Sequence, residues 1–228
     1  MQLSEQHIST QEKQTPLRIA VLVSGSGSNL QALIDAFESK QLPGAEIVLV
    51  ISNRADAYGL QRALQHKLPT IYLPWRQRAE AEAKLTALLS LFQVDLIVLA
   101  GWMRILGAEF INHFAGRILN LHPALLPDEG SGSTYTTSDG TIIPAFRGLH
   151  VVKHALEAGI KVTGSTVHYV TPEVDAGPVI CRAEVRIEEG DTEETLHERI
   201  KNVEHHLIVE AVKSIVGTRF IASTRLPH

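Results

Sequence analysis

Residues 17–29 read Leu-Arg-Ile-Ala-Val-Leu-Val-Ser-Gly-Ser-Gly-Ser-Asn, and residues 30–37 read Leu-Gln-Ala-Leu-Ile-Asp-Ala-Phe. The apolar run at 18–23 is short, rich in β-branched side chains and ends in a glycine–serine turn. That is a strand buried on both faces, not a helix. Residues 30–37 then space their apolar side chains at helical intervals. Strand, glycine-rich turn and helix in that order open a parallel α/β sheet. The alternation continues along the chain. Strands are expected at 46–52, 70–73, 95–100 and 118–121, with helices at 59–66 and 79–91 between them. The expected fold is α/β: a doubly wound, mostly parallel twisted sheet with helices on both faces, in a single domain.

The later part has a different rhythm. A helix is expected at 149–158, strands at 163–170 and 179–187 around a turn-rich 171–178, and one closing helix at 191–216. Thr192 suits the N-cap of that helix, and Glu193, Glu194 and Glu198 suit the positive end of its dipole. Thr192-x-x-Thr195 lacks the Glu of a capping box. Residues 1–16 are polar and aperiodic and read as a flexible leader, 17–217 as the folded domain and 218–228 as a C-terminal tail. Residues 128–144 are rich in Gly, Ser and Thr. They read either as a mobile flap or as a hairpin around Asp139-Gly140, with little apolar area to bury.

Composition narrows the class of function. The chain has 228 residues, 44% hydrophobic and 20% charged, which is ordinary for a soluble globular protein and excludes wholesale disorder. A net charge of −4 gives no bulk attraction for nucleic acid, though a local site for one phosphate is compatible with it. The single Cys181 excludes an internal disulfide and a multi-cysteine zinc site, in keeping with a reducing cytoplasm. No apolar run approaches the ~20 residues of a membrane span, and the polar opening is not a secretory signal. The expectation is a cytoplasmic protein without membrane or nucleic-acid partners, monomeric or homodimeric.

Three motifs carry chemistry. The first is Ser24-Gly25-Ser26-Gly27-Ser28-Asn29. A glycine-rich turn opening a helix presents free N–H groups and a partial positive charge, which suits one phosphate. It is not a full dinucleotide fingerprint, because Leu30 stands at the third glycine. It is not a Walker loop either, since no Lys-Ser/Thr comes after it. A plain glycine-rich turn is the competing reading. The second motif is Asn120-Leu121-His122-Pro123 at a strand end. Alternation puts Asn120 and His122 on one side, where an amide donor and an imidazole can meet a developing oxyanion. A buried, satisfied Asn and His is the plainer alternative. The third is Gly164 to Val170 with Asp175 beyond it. Thr166 and His168 share a face, and Asp175 can fold back so that its carboxylate orients a histidine and favours its charged form. Alone, Asp175-Ala176-Gly177 reads as an ordinary turn. His150, His154 and Glu157 share a helix face, but no strong zinc pattern accompanies them, and no metal site is expected.

Together these stretches, with Leu99-Ala100-Gly101-Trp102-Met103-Arg104-Ile105-Leu106, resemble the glycinamide ribonucleotide formyltransferases of purine synthesis. The motifs occur in that family's order, from about residue 18 to 216. The resemblance implies formyl transfer from the co-substrate 10-formyltetrahydrofolate to the amine of glycinamide ribonucleotide, without a metal. It implies Asn120, His122 and Asp175 as the catalytic trio, with a protonated His122, and Thr166 and His168 in support. Gly27, Ser28 and Asn29 would hold the nucleotide phosphate, and Glu204 with Lys201 the glycinamide end. Met103, Arg104, Ile105 and Leu106 would form the folate pocket with Val170, Thr171, Pro172, Glu173 and Val174. Arg78 would lie near the folate glutamate tail. Two departures stand out: the insertion at 128–144, and Trp102 where Phe is commoner.

Three other readings compete. A formyltetrahydrofolate hydrolase or another formyltransferase would bring an additional domain, for which the leader and tail leave little room. A non-catalytic nucleotide-binding module would keep Gly27 and Asn29 but have no use for Asn120, His122 and Asp175 together. An NADP oxidoreductase has only Arg54, after the second strand, in its favour.

Overall fold

The computed structural model describes residues 15–224. The first strands and helices are β1 (Leu17–Val23), α1 (Ser28–Glu38), β2 (Ala45–Ser52), α2 (Tyr58–Gln65), β3 (Thr70–Tyr72), α3 (Arg78–Leu91), β4 (Leu96–Leu99), α4 (Ala108–His113) and β5 (Ile118–His122). The remaining elements are β6 (Thr134–Thr136), β7 (Ile142–Pro144), α5 (Val151–Glu157), β8 (Val162–Tyr169), β9 (Val179–Arg186) and α6 (Glu193–Thr224). The main sheet has the order β3-β2-β1-β4-β5-β8-β9. Its first five strands pair in parallel, and β8 and β9 join antiparallel.

The continuous apolar strands result from burial on two faces. Ile19, Val21 and Val23 meet Leu30 and Leu33 of α1 and Ile208 and Val212 of α6. The alternate residues Ala20 and Leu22 face the other way, into a cluster with Leu85 and Leu89 of α3 and Phe110 and Ile111 of α4. Each fully buried Leu or Ile contributes ~1.5–3 kcal/mol, which is why Ile19–Val23 of β1 and Leu96–Leu99 of β4 are apolar on both faces. Among the described residues no helix is long and apolar enough to cross a membrane.

Two elements differ from expectation. Helix α4 has no counterpart among the expected helices, because its six residues are too few to show a 3.6-residue period. Helix α6 does not stop at residue 216 and give way to a tail at 218; it continues to Thr224. Gly217 weakens a helix by only ~1 kcal/mol and does not break it. The cap of α6 is Thr192, as expected. Thr195 N–H donates to Thr192 Oγ1 at 3.2 Å, and Thr192 N–H donates to Thr195 Oγ1 at 3.0 Å. The threonine hydroxyl thus does what the Glu of a capping box does. The leader up to residue 14 lies outside the described residues.

The insertion forms the hairpin rather than an open flap. β6 and β7 pair antiparallel, with Tyr135 opposite Ile143. Asp139 Oδ1 closes the turn by accepting the Thr137 hydroxyl at 2.6 Å and the Thr141 N–H at 2.9 Å. Those bonds hold the Asp139 carboxyl down at about 2. Glu184 on β9 anchors the hairpin, accepting Ser138 N–H at 2.7 Å, Ser138 Oγ–H at 2.6 Å and Tyr135 O–H at 3.3 Å. Ile143 is its buried apolar residue.

Candidate active site

β1 and β4 are neighbours, and the chain leaves them towards opposite edges of the sheet. Such a switch point opens a crevice at the carboxyl ends of the strands. The loop after β1 and the loop after β4 meet there. Ser24 N–H donates to the Gly101 carbonyl at 3.1 Å. Ser24 Oγ donates to Asn53 Oδ1 at 2.6 Å and accepts Met103 N–H at 2.8 Å. Gly27 is left-handed at φ 70 and caps α1. Its glycine has a packing reason besides ligand approach: a Cβ there would lie 2.6 Å from Gly59 Cα of α2. The helix ladder starts with Gln31 N–H to the Gly27 carbonyl, so the N–H groups of Ser28, Asn29 and Leu30 lie outside it. Arg62, missed in the sequence, donates from Nε to the Ser26 carbonyl at 2.9 Å and brings a cation beside the loop. Its place four residues after Tyr58, on whose ring it stacks, was the available signal.

The side chain of Asn29 does not point out of this loop. Its Nδ2 donates to Glu204 Oε2 at 2.9 Å, in the interior. Glu204 is 6% exposed and lies 3.4 Å from the Ser165 hydroxyl, which donates to the His122 carbonyl at 3.0 Å. Ser165 therefore joins Glu204 to the strand end bearing His122. It was missed because a serine within an apolar strand has no distinguishing neighbour in sequence. Lys201 is engaged by Glu198 at 2.5 Å rather than by Glu204.

Asn120, His122 and Asp175 converge. In the β5–β8 pairing Asn120 stands opposite His168, and His122 opposite Thr166. Cross-strand partners share a face, so these four side chains lie together on the α3–α4 side of the sheet. Asp175 folds back onto them. Its Oδ2 is 3.4 Å from His122 Nδ1, and its Oδ1 is 3.5 Å from Asn120 Nδ2 and 3.6 Å from His168 Nε2. The Tyr169 carbonyl, 2.9 Å from His168 Nδ1, assigns the proton to that nitrogen. His168 Nε2 is then the acceptor for Asn120 Nδ2 at 3.2 Å and fixes the amide's orientation. Thr166 works on the turn below: its hydroxyl donates to the Ala124 carbonyl at 2.7 Å and accepts Leu126 N–H at 3.1 Å.

The charge state of His122 differs from expectation. Burial pushes its pKa below the ordinary value, and this outweighs the opposing pull of Asp175 and the Phe146 carbonyl. In the free protein burial thus disfavours the imidazolium. The Phe146 carbonyl, 2.8 Å from Nε2, assigns the remaining proton to that nitrogen. Burial alone would raise the Asp175 carboxyl, but the balance of its surroundings, with the Gly148 N–H donating to Oδ2 at 2.8 Å, holds it below its ordinary value.

The other expected residues lie at the rim or behind it. Met103 and Ile105 are exposed at 66% and 70%, and Val174 at 50%, which leaves apolar side chains at a site rim. Arg104, Pro172 and Glu173 are exposed and Thr171 is half-buried. Leu106 is buried in the core, where Val170 packs against the same cluster, so these two support the rim rather than form it. Arg78 begins α3 with an exposed side chain and is not brought into the trio. Among the described residues no group of three or more His, Cys, Asp or Glu is placed to hold a metal.

The formyl transferase family matches residues 17–133 and 139–212. The chain belongs to that family. The break at 134–138 falls in the inserted hairpin. Phosphoribosylglycinamide formyltransferase of Escherichia coli (strain K12) is 40% identical over 192 residues, covering 83% of this chain and 82% of that protein. The crystal structure of glycinamide ribonucleotide transformylase 1 from Symbiobacterium toebii superposes with a TM-score of 0.79 at 41% identity, covering 90% of each chain. The trifunctional purine biosynthetic protein adenosine-3 of Gallus gallus is 41% identical over 214 residues. This chain spans 92% of itself in that match but only 20% of the trifunctional protein's length.

Proposed function

We infer that the chain transfers the formyl group of 10-formyltetrahydrofolate to the amine of glycinamide ribonucleotide, giving formylglycinamide ribonucleotide and tetrahydrofolate in purine synthesis. The observation that carries this is the convergence of Asn120, His122 and Asp175 beside the switch-point loops, in a member of the formyl transferase family. The first turn of α1 takes the nucleotide phosphate on the N–H groups of Ser28 and Asn29. Asn29 holds Glu204 in place to receive the glycinamide end, with Lys201 one turn before it. The exposed apolar side chains Met103, Ile105 and Val174 suit the flat rings of a folate. Arg104, Thr171, Pro172 and Glu173 complete that rim, and Arg78 serves the glutamate tail.

His122 Nε2–H already donates to one carbonyl oxygen, that of Phe146; a formyl oxygen is the same kind of acceptor. As the amine adds to the formyl carbon, negative charge collects on that oxygen. His122 Nε2–H and Asn120 Nδ2–H stabilise it. Asp175 orients the Asn120 amide and, through a water, accepts the amine proton and returns it to the leaving nitrogen. A proton arriving on the His122 ring binds Nδ1, which faces Asp175. The protein acts in the cytoplasm, as a monomer or homodimer. The deciding assay tracks the absorbance of deformylated folate with and without glycinamide ribonucleotide. Turnover only with the amine supports the transferase; turnover without it indicates a hydrolase, and nucleotide binding without turnover a binding module.

A further inference from the structure

Asp175 is an unusual place for a working carboxylate. Its backbone is left-handed at φ 51, a conformation that a non-glycine residue holds only when its surroundings impose it. Both flanks of the loop show how it is imposed. On the strand side, Gly177 packs against the Tyr169 carbonyl so closely that a Cβ would collide with it. On the other side stands the root of the inserted hairpin. Gly130 is left-handed at φ 73, and a Cβ there would run into the carbonyls of Ala176 and Gly177. Val179 N–H donates to the Asp128 carbonyl at 3.1 Å. Arg182 secures the same root, donating from Nη1 to the Leu126 carbonyl at 2.8 Å and pairing through Nη2 with Asp128.

One side chain spans these two segments. Arg147 Nε donates to the Asp175 carbonyl at 3.0 Å. Its Nη2 donates to the Gly132 carbonyl at 2.6 Å and also to the Gly130 carbonyl. The next residue, Gly148, gives its N–H to Asp175 Oδ2 at 2.8 Å. An arginine whose fork is directed at three backbone carbonyls from two chain segments is a geometric clamp, because only a guanidinium offers donors in that fixed spread. We propose that Arg147 is a positioning residue for Asp175: it fastens the left-handed Asp175 loop to the root of the inserted hairpin and so holds the carboxylate against His122 and Asn120. The proposal rests on the reading of Asp175 as catalytic. It also gives the insertion a task, as a brace for the catalytic loop.

A different role for the same segment would give the opposite sign. The Phe146 carbonyl sits on His122 Nε2, and if Arg147 served mainly to keep that plug in place, its loss would speed the reaction. The test uses the full chain with Arg147→Ala and Arg147→Lys. As a clamp, Arg147→Ala lowers kcat by up to about 10²-fold, the scale of a displacement near 1 Å at a reacting centre. The KM values of both substrates move far less. Added guanidinium restores part of the loss in Arg147→Ala and none in Asp175→Ala. A kcat that is unchanged or raised overturns the proposal.

The second readout does not require turnover: the titration of the His122 ring, measured by NMR and assigned by its loss in His122→Ala. The charged and titratable groups facing the ring are Asp175, His168 and Arg147, the last of which disfavours its protonation. Arg147→Lys keeps that charge but cannot reach three carbonyls. With the carboxylate loosened, His122 titrates lower than in the wild-type protein. A titration identical to wild type overturns the proposal even where the wild-type enzyme is active. If the wild-type chain shows no formyl transfer, the lowered titration still establishes the clamp, and the functional reading fails on its own.

Discussion

Glu204 offers a test in which stability and function move in opposite directions. Glu204 is 6% exposed; its carboxylate accepts from the neutral Asn29 amide at 2.9 Å, and the Ser165 hydroxyl lies 3.4 Å away. The nearest lysine along the helix, Lys201, is taken by Glu198. Burying a carboxylate on a neutral donor carries a desolvation cost of several kcal/mol. Glu204→Gln removes the charge at constant size and keeps an acceptor for Asn29. The bond weakens from the ~1.5–3 kcal/mol of a charged acceptor to the ~0.5–1.5 kcal/mol of a neutral one, a loss of about 1–1.5 kcal/mol. Set against the relieved desolvation, the free protein should be neutral to about 2 kcal/mol more stable. For a chain of this size that is a Tm unchanged or raised by up to ~6 °C. The substrate sees the reverse. Losing a charged partner for the glycinamide end removes ~1.5–3 kcal/mol, so KM for glycinamide ribonucleotide rises by roughly 10- to 150-fold while KM for the folate stays put. Thermal unfolding by circular dichroism and steady-state kinetics read the two arms. A Tm lowered by more than ~3 °C would show that the carboxylate is net stabilising in the free protein. Glu204 would then not be a charge held ready for substrate at the expense of stability.

Asn120→Ala and His122→Ala should each reduce kcat by about 10²–10³-fold, the scale of one oxyanion donor, with much smaller changes in KM; a loss confined to KM would place both residues in ground-state binding. Two of the depressed pKa values that shape the pH dependence of stability lie at the site. His122 and Asp175 both titrate below their ordinary values in the folded chain, so the unfolded chain binds more protons and stability falls as pH drops, from about 6.5 downward for the histidine and from about 4 downward for the aspartate. Urea midpoints measured between pH 8 and 4 should show this decline, and His122→Ala should flatten its upper part; an unchanged profile in that variant would contradict the assignment. Gly27→Ala should lower stability by ~1–3 kcal/mol, because a non-glycine residue is strained at φ 70 and its Cβ meets Gly59, and calorimetry should find nucleotide affinity reduced more than folate affinity.

Most of the fold was legible because its central strands obey a simple rule. A strand covered on both faces must be apolar at every position, so residues 18–23, 46–52 and 95–100 announce themselves without any knowledge of their partners. Helices α1 and α3 are long enough for their spacing to show. What was not legible was short or depended on distant neighbours. Helix α4 is under two turns. The end of α6 hangs on a glycine that local propensity disfavours and the helix tolerates. That Thr195 closes the cap back onto Thr192 N–H in place of a Glu is visible only as geometry.

The site divides in the same way. Asn120, His122, Thr166 and His168 could be put on one face from alternation alone, since register on a strand fixes the side of every second residue. That Asp175 would close on them could be stated only as possible for its loop, because no periodicity governs a left-handed turn. The charge of His122 went the other way from expectation for a related reason. A carboxylate neighbour is readable in a motif, whereas the burial that outweighs it comes from the whole fold. Arg147, Ser165 and Glu184 were beyond reach because each acts across a gap in sequence: Arg147 on Asp175, Ser165 on His122, Glu184 on Ser138. The insertion was hardest to read. Its composition measures only how little apolar surface it buries, and that correctly indicated a segment outside the core. What fastens it is Glu184 of β9, which accepts from the Ser138 N–H and hydroxyl, and Arg147, which donates to the backbone carbonyl of Gly132. Composition cannot register such bonds, because they depend on which distant side chain meets the segment, and any sequence supplies the backbone N–H and carbonyl groups that take part.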